Sequence, residues 1–449
     1  MRHAVIKDLT EGKAELVLWK FTIPMFVSVI FQQLYNIADS IIAGKYAGED
    51  ALAAVGASYP ITMIFMAIAV GSNVGCSVVI SQLFGGRKYR EMKTAIYTTL
   101  TASFLLSVIL SVAGLLGTEW FITMLHTPAN IYADGALYLK IYIGGFVFVF
   151  LYNVCTGVFT SLGDSKTPLY FLIGSSVGNM ILDWLFVAVL SWGVAGVAWA
   201  TFIAQGVACL LVLIVLTARL RTIHTEEAPS LFSLEMLVKI SKMAIPSILQ
   251  QSFVSVGNIF IQRLINGYGS SVIAGYSAAI KLNTFMITSF STMGNAVSGF
   301  AAQNIGAGRL ERVKKGFRAG VALAFVIAVP VFIVYFFFGN AMMTLFMKEE
   351  SAKALETGVQ FLRVVSPFYF VISLKLLADG ILRGTGAMKE FMVTTFSDLL
   401  LRVVLAFVFS AYWGTLGIWI SWPVGWSTAT VLSLIFYSKG NWQNKETVT

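Results

Sequence analysis

The sequence has 449 residues, of which 57% are hydrophobic and only 12% are charged. Since charged residues make up about a quarter of a soluble domain, this composition excludes an ordinary soluble protein and predicts an all-α, polytopic membrane protein. The net charge of +9 is typical of a membrane protein whose cytoplasmic loops are rich in Lys and Arg, so we expect lipid and no nucleic acid as a partner.

The first apolar segment, which follows a charged start, carries a stripe of polar side chains. The first twenty residues show no short apolar core with a small-residue cleavage site, so we expect no cleavable signal peptide. Gln32, Tyr35, Asn36 and Asp39 recur three and four residues apart, which places them on one face of a helix. A carboxylate at bilayer depth is costly and almost always faces the bundle interior, a partner or a water-filled cavity. Asp39 is therefore predicted to point inward.

Charged residues and Gly, Pro and Asn divide the whole sequence into twelve apolar segments, each long enough to cross a bilayer, which takes about 20 residues. These predicted spans are 18–43, 57–82, 95–117, 136–160, 168–190, 193–217, 239–264, 277–303, 316–338, 358–382, 391–411 and 414–437.

The distribution of Lys and Arg predicts the orientation of these spans. Basic runs occur in even-numbered loops, at 87–93 and 309–318, whereas the odd-numbered loops contain only Lys45, Lys348 and Lys353. Because excess positive charge marks the cytoplasmic side, both termini are predicted to be cytoplasmic, in a multi-pass protein of the cell membrane.

The two halves of the chain resemble each other. The segment "FTIPMFVSVIFQQLYNI" matches "KMAIPSILQQSFVSVGNI", which places Pro24 against Pro246 and Asn36 against Asn258, 222 residues apart. Two repeats of six spans enter the membrane from the same side and are related by an axis along its normal.

This duplication predicts two lobes around a central cavity that open alternately to either side of the membrane. The N-lobe is predicted to be 1–217, the cytoplasmic linker 218–238 and the C-lobe 239–449. A channel needs no such pair of lobes, although duplication alone does not exclude one.

The fifth span carries a second polar stripe, Ser176, Asn179 and Asp183. No Lys or Arg lies on this stripe or on that of Asp39, so neither carboxylate has an obvious ion-pair partner. A carboxyl group in an apolar environment favours its protonated form and can take up and release a proton. Alternatively, the oxygens of these side chains suit a hard cation such as Na⁺, or the two carboxylates are hydrogen-bonded between helices for structure alone.

The second half contains oppositely charged residues four apart on single helices. Asp398 and Arg402 lie on the eleventh span, and Lys375 and Asp379 on the tenth. An i,i+4 ion pair is available on each helix, and such pairs are often architectural, so the sequence leaves structural and functional roles open.

The sequence contains none of the usual signatures of catalysis or nucleotide binding. There is no HExxH, P-loop or Ser/His/Asp grouping, and Cys76, Cys155 and Cys209 lie singly inside apolar segments without metal spacing. We therefore expect neither enzymatic activity nor a cofactor, and a transporter without an ATP site must use an ion gradient.

Six motifs together resemble the multidrug and toxic compound extrusion (MATE) family over essentially the whole chain. They are "YNIADSIIAG", "SLGDSKTP", "GNMILDWLF", "GVAGVAWAT", "AQNIGAGR" and "ILRGTGAMK". The resemblance implies a twelve-helix transporter, which we expect to be a monomer. It implies export of amphipathic, often cationic compounds in exchange for H⁺ or Na⁺.

The resemblance also implies which residues couple ion and substrate. The family's N-lobe coupling residues match Asp39, Asn179, Asp183 and Thr201, and the last three could hold Na⁺. The C-lobe carboxylates of the NorM branch are replaced by apolar residues near Val254 and Ile372, which favours DinF-like coupling in the N-lobe. We expect H⁺ rather than Na⁺, because two carboxylates in one lobe would repel each other unless one is protonated.

Polar and soft side chains on several spans are candidates to line a substrate cavity. They are Gln32, Tyr35, Asn36, Met63, Ser176, Gln251, Asn258, Asp398 and Arg402. Two alternatives to an antiporter remain open, a lipid-linked precursor flippase of the same superfamily and a channel.

Overall fold

The computed structural model describes residues 8–42, 46, 49–125, 127–345 and 352–443, with the backbone alone at 38–41, 49–52 and 441. Throughout these residues the regular structure is helical, and no strand occurs in them. The α-helices are α1 (Ala14–Ile42), α2 (Glu49–Gly85), α3 (Tyr89–Met124), α4 (Ala129–Gly144), α5 (Phe146–Ser161), α6 (Lys166–Asp183), α7 (Gly193–Arg221), α8 (Leu234–Asn266), α9 (Ser270–Gly306), α10 (Leu310–Phe337), α11 (Gly339–Thr344), α12 (Ala352–Val365), α13 (Tyr369–Gly384), α14 (Met388–Trp413) and α15 (Thr415–Lys439).

The fold class predicted from composition is confirmed. Within the described residues, ten spans are long and apolar enough to cross a membrane, and a bent pair, α4 with α5, makes an eleventh. Helix α9 corresponds to the remaining predicted span, 277–303, and has 37 residues. It does not meet the same apolarity criterion, because Ser, Thr, Asn and Gln recur along it.

Two predicted spans contain local departures from the α-helix. Helix α6 ends at Asp183 and continues as a π-helical segment, Trp184–Val189. Helices α12 and α13 are joined by a short 3₁₀ turn, Ser366–Phe368, that contains Pro367, whose ring and missing N–H interrupt α-helical hydrogen bonding. The π-helical segment adjoins Asp183, and such segments occur frequently at functional sites.

The chain forms two compact units whose boundaries fall inside helices. Among the described residues, unit 1 comprises 27–251 and unit 2 comprises 8–26 and 252–443. The first part of α1 therefore belongs to unit 2, and the first part of α8 belongs to unit 1. The predicted lobes follow the sequence repeat, whereas these units follow packing.

In unit 1, helices α2 and α8 approach backbone to backbone. A Cβ atom on Gly75 would lie 2.2 Å from the Ala244 Cα, and one on Gly71 would lie 2.4 Å from the Ile248 Cα. Small residues four apart permit this close contact, which is typical of membrane helices.

The segment between α7 and α8 lies along the start of α3, also within unit 1. The Lys93 Nζ donates to the Ile223 carbonyl at 2.6 Å, and the Ser233 N–H donates to the Thr98 Oγ1 at 3.0 Å. The segment that the sequence identifies as a polar linker is therefore hydrogen-bonded to its own unit.

In unit 2, the residues before α1 are bound by the α9–α10 connection. We call residues 9–12 the N-terminal clasp. The Leu9 N–H donates to the Gln303 Oε1 at 3.0 Å, and the Leu9 carbonyl accepts from the Arg312 Nη2 at 3.1 Å. Arg312 also donates to the carbonyls of Glu11 and Gly12. Leu9 is 1% exposed, so the clasp is held by one buried apolar residue and by hydrogen bonds between its main chain and the side chains of Gln303 and Arg312.

Candidate functional site

The polar stripe predicted on the fifth span is the buried face of α6. Ser176, Asn179 and Asp183 are 7%, 2% and 1% exposed, whereas Val177 and Ile181, between them along the helix, are 45% and 60% exposed. Helix α6 therefore directs its polar face into the protein and its apolar face outward, the arrangement expected of a helix in lipid.

On this face, an amide and a carboxylate contact each other one helical turn apart. The Asn179 Nδ2 donates a short hydrogen bond to the Asp183 Oδ2. An amide N–H can donate to an ionised carboxylate, whereas an amide oxygen can accept a hydrogen bond from a neutral carboxyl group. The pair has the chemistry to exchange a proton, or to offer oxygens to a hard cation.

The other two predicted coupling residues also belong to unit 1. Thr201 is half-buried on α7, which packs against α6. Asp39 belongs to α1, but its side chain lies outside the described residues. The structure thus joins Asn179 with Asp183, and the inward orientation of Asp39 stays a prediction.

Most of the cavity candidates are at least partly exposed. Gln32, Asn36 and Asn258 are exposed, and Tyr35, Met63 and Gln251 are half-buried. Asp398 and Arg402 differ, since only 6% and 5% of their surfaces are exposed. They are packed among protein side chains in unit 2.

The ion pair that the sequence makes available between Asp398 and Arg402 does not form. The Asp398 Oδ2 lies 3.6 Å from the Lys375 Nζ, which also lies 3.2 Å from the Asp379 Oδ2. The Arg402 guanidinium stacks instead on the ring of Trp422, 4.5 Å from its centroid. Asp398 turns to a neighbouring helix because Lys375 on α13 supplies a buried charge there. The Lys375–Asp379 pair does form.

Sequence reasoning missed the link between helices that Lys375 provides. Spacing along one helix identifies i,i+4 partners, but it contains no information about which helices are neighbours. The sequence contains one indication of this link. Buried charges require partners, and two oppositely charged pairs occur on successive spans.

The described residues contain no group of three or more His, Cys, Asp and Glu side chains that could hold a metal ion. The candidate site on α6 is one carboxylate with amide and hydroxyl companions.

Comparison with known proteins decides the family. The MatE family model matches residues 24–185 and 246–408, which together are well over half of the chain. The chain belongs to the MatE family. The two matches begin 222 residues apart, the offset found between Pro24 and Pro246, so the internal duplication is a property of the family model as well. MatE proteins are transporters, which confirms the expectation that this chain is not an enzyme.

This MatE chain is similar in sequence to a relative from Bacillus subtilis named probable multidrug resistance protein YpnP. The two are 30% identical over 438 residues, which cover 97% of each chain. The fold of the present chain matches that of an outward-facing multidrug resistance MATE transporter of the MOP superfamily, with a TM-score of 0.91, 22% identity and 98% of each chain covered. A MOP superfamily transporter from Pyrococcus furiosus gives a TM-score of 0.90 at 23% identity over 98% of each chain.

Proposed function

We propose that the chain is a secondary antiporter that exports amphipathic, cationic compounds in exchange for an inward-moving ion. The observation that carries the proposal is the buried Asn179–Asp183 contact on α6. A carboxylate inside a membrane-spanning helix is costly and marks a functional site, and an amide one turn away suits it to bind and release a cation. The multidrug resistance named for the Bacillus subtilis relative supports the substrate class.

The coupling site in this proposal consists of Asp39, Asn179, Asp183 and Thr201, all in the N-terminal repeat. This is the DinF-like arrangement, and apolar residues near Val254 and Ile372 support it against a NorM-like site in the second repeat. H⁺ is the coupling ion, because a proton on one of two carboxylates removes their mutual repulsion. Na⁺, bound by Asn179, Asp183 and Thr201, is the alternative.

The transport cycle that fits two repeats of six spans is alternating access, in which a cavity between lobes opens to one side at a time. The protein works as a monomer in the cell membrane with both termini in the cytoplasm. The distribution of Lys and Arg supports this orientation.

The test is efflux of a fluorescent amphipathic cation from proteoliposomes under imposed ion gradients. With the proton gradient intact and the Na⁺ gradient collapsed, we expect efflux to continue and to saturate with substrate concentration. Dissipating the proton gradient alone should stop it. Loss of efflux on removing Na⁺ alone would reverse the choice of ion, and non-saturating flux without either gradient would indicate a channel.

A further inference from the structure

A cluster of buried charged and hydroxyl side chains lies in unit 2, outside the proposed coupling site. Four side chains from three helices supply oxygens, namely Asp379 on α13, Thr394 and Asp398 on α14, and Ser433 on α15. We call them the oxygen cage. Each is at most 6% exposed, and Lys375, which extends into the cage from α13, is 3% exposed.

The contacts within the cage converge on Asp379 and on the lysine. The Asp379 Oδ1 accepts hydrogen bonds from the Thr394 Oγ1 at 2.9 Å and the Ser433 Oγ at 2.7 Å. The Lys375 Nζ lies 3.2 Å from the other oxygen of Asp379 and 3.6 Å from the Asp398 Oδ2. One ammonium therefore neutralises two carboxylates on different helices, and two hydroxyls orient one of those carboxylates.

The remaining charges around the cage are engaged elsewhere. The Arg383 Nη2 donates to the Asn295 Oδ1 at 2.6 Å, and the Arg402 guanidinium lies on Trp422. Among the described cations, Lys375 is the one at ion-pair distance from Asp379 and Asp398. The Asp398 Oδ1 is buried without a hydrogen-bond partner, so the cage contains one carboxylate oxygen that is available to a further cation or donor.

The donor set of the cage is that of a hard-cation site. Carboxylate and hydroxyl oxygens are the ligands that hard cations prefer. Here the two carboxylates contact a monovalent ammonium, which is tethered to α13. Removing the ammonium leaves two buried carboxylates without a compensating charge, and an uncompensated buried charge costs several kcal/mol.

We propose that the oxygen cage is a site for a monovalent cation and that Lys375 occupies it as a built-in cation. The ammonium excludes free alkali ions, so this part of the native protein binds none. A small neutral side chain at position 375 vacates the site, and Na⁺ then binds to Asp379, Asp398 and the hydroxyls of Thr394 and Ser433.

The test compares thermal unfolding of purified native protein and Lys375→Ala in NaCl and in choline chloride at equal ionic strength. A ligand that binds only the folded state raises its melting temperature in a saturable way. We expect Na⁺ to raise the melting temperature of Lys375→Ala by a few degrees more than that of the native protein. Lys375→Arg, which keeps the positive charge, is the matched control and should respond as the native protein does.

A second variant keeps the proposal falsifiable if Lys375→Ala folds poorly. In Lys375→Ala with Asp398→Asn, one ligand is neutralised, and the extra effect of Na⁺ should disappear. Folded Lys375→Ala without an extra Na⁺ response overturns the proposal, as does an equal response in the double variant. It is also overturned if the double variant folds while Lys375→Ala stays unfolded in high Na⁺. The measurement needs no transport, so its outcome is independent of the proposed function.

Discussion

Asp183 and Asp379 are both buried carboxylates in membrane-spanning helices, yet their surroundings differ. Asp183 has an amide contact from Asn179, whereas Asp379 has an ammonium and two hydroxyls. The charge of a carboxylate that is paired with a lysine is already neutralised, so this carboxylate attracts an external cation only weakly. Under the proposed function, ion exchange belongs to Asp183, whereas the charge of Asp379 is balanced within the protein.

At the residue scale, Asp183→Asn and Asp39→Asn should each abolish gradient-driven efflux, because an amide can neither bind nor release a proton. We expect the efflux rate to fall at least about tenfold, which corresponds to an increase of about 1.4 kcal/mol or more in the free-energy barrier to transport. Efflux from proteoliposomes measures it, with size-exclusion profiles showing that the variants remain folded. Asp134→Asn, the same substitution at a half-buried position on α4, is the control and should transport normally. Undiminished efflux by either site variant would remove that residue from the proposed mechanism.

At the scale of helices, the sequence predicted the type and position of nearly every element. Hydropathy locates a span because the bilayer requires about 20 apolar residues, and this rule placed α3, α7, α10 and α14 well. It could not locate the bend of 46° between α4 and α5 or the π-helical segment after Asp183, because both leave the apolar composition unchanged. Helix α9 was predicted from the polar punctuation at its ends, although it does not meet the same apolarity criterion as the other spans.

The close approach of α9 and α13 depends on glycine. A Cβ atom on Gly380 would lie 2.4 Å from the Gly294 carbonyl oxygen, so Gly380→Ala must push the helices apart. We expect a loss of about 1–3 kcal/mol of stability, as for other overpacked sites, measured as a lower melting temperature in detergent.

Gly174→Ala on α6 is the matched control for Gly380→Ala, since nothing lies within 4 Å of the added Cβ. It should leave stability within about 0.5 kcal/mol of the native value. Equal melting temperatures for both variants would show that α9 and α13 can move apart without a loss of stability.

At the scale of the whole molecule, the sequence revealed the duplication but not the composition of the compact units. Pro24 and Pro246 identify the repeats because local sequence was retained. The assignment of residues 8–26 to unit 2 depends on contacts between residues about 300 positions apart, such as Leu9 with Gln303, and no local pattern encodes such a pairing. The Asn179–Asp183 contact was predictable for the opposite reason, since both residues lie on one helix.

Arg312→Ala should release the N-terminal clasp, because Arg312 donates to three of its carbonyl groups. Hydrogen bonds from a charged donor contribute about 1.5–3 kcal/mol each. We therefore expect trypsin to cleave after the exposed Lys13 at least about ten times faster than in the native protein. Mass spectrometry of the released peptide measures the rate.

Arg318→Ala, at an exposed position on the same helix, is the control and should be cleaved at the native rate. An unchanged rate in Arg312→Ala would mean that the remaining contacts hold the clasp without this arginine.

The clasp also constrains the order in which the protein can be assembled on the ribosome. Leu9 is synthesised 294 positions before its partner Gln303. At 5–20 residues per second, about 15–60 s pass before the two can meet. During that interval the start of α1 is already made, but unit 2 is not. The nascent chain must therefore complete its second unit with residues 8–26, which are made long before the rest of that unit, and a C-terminal half synthesised alone would lack them.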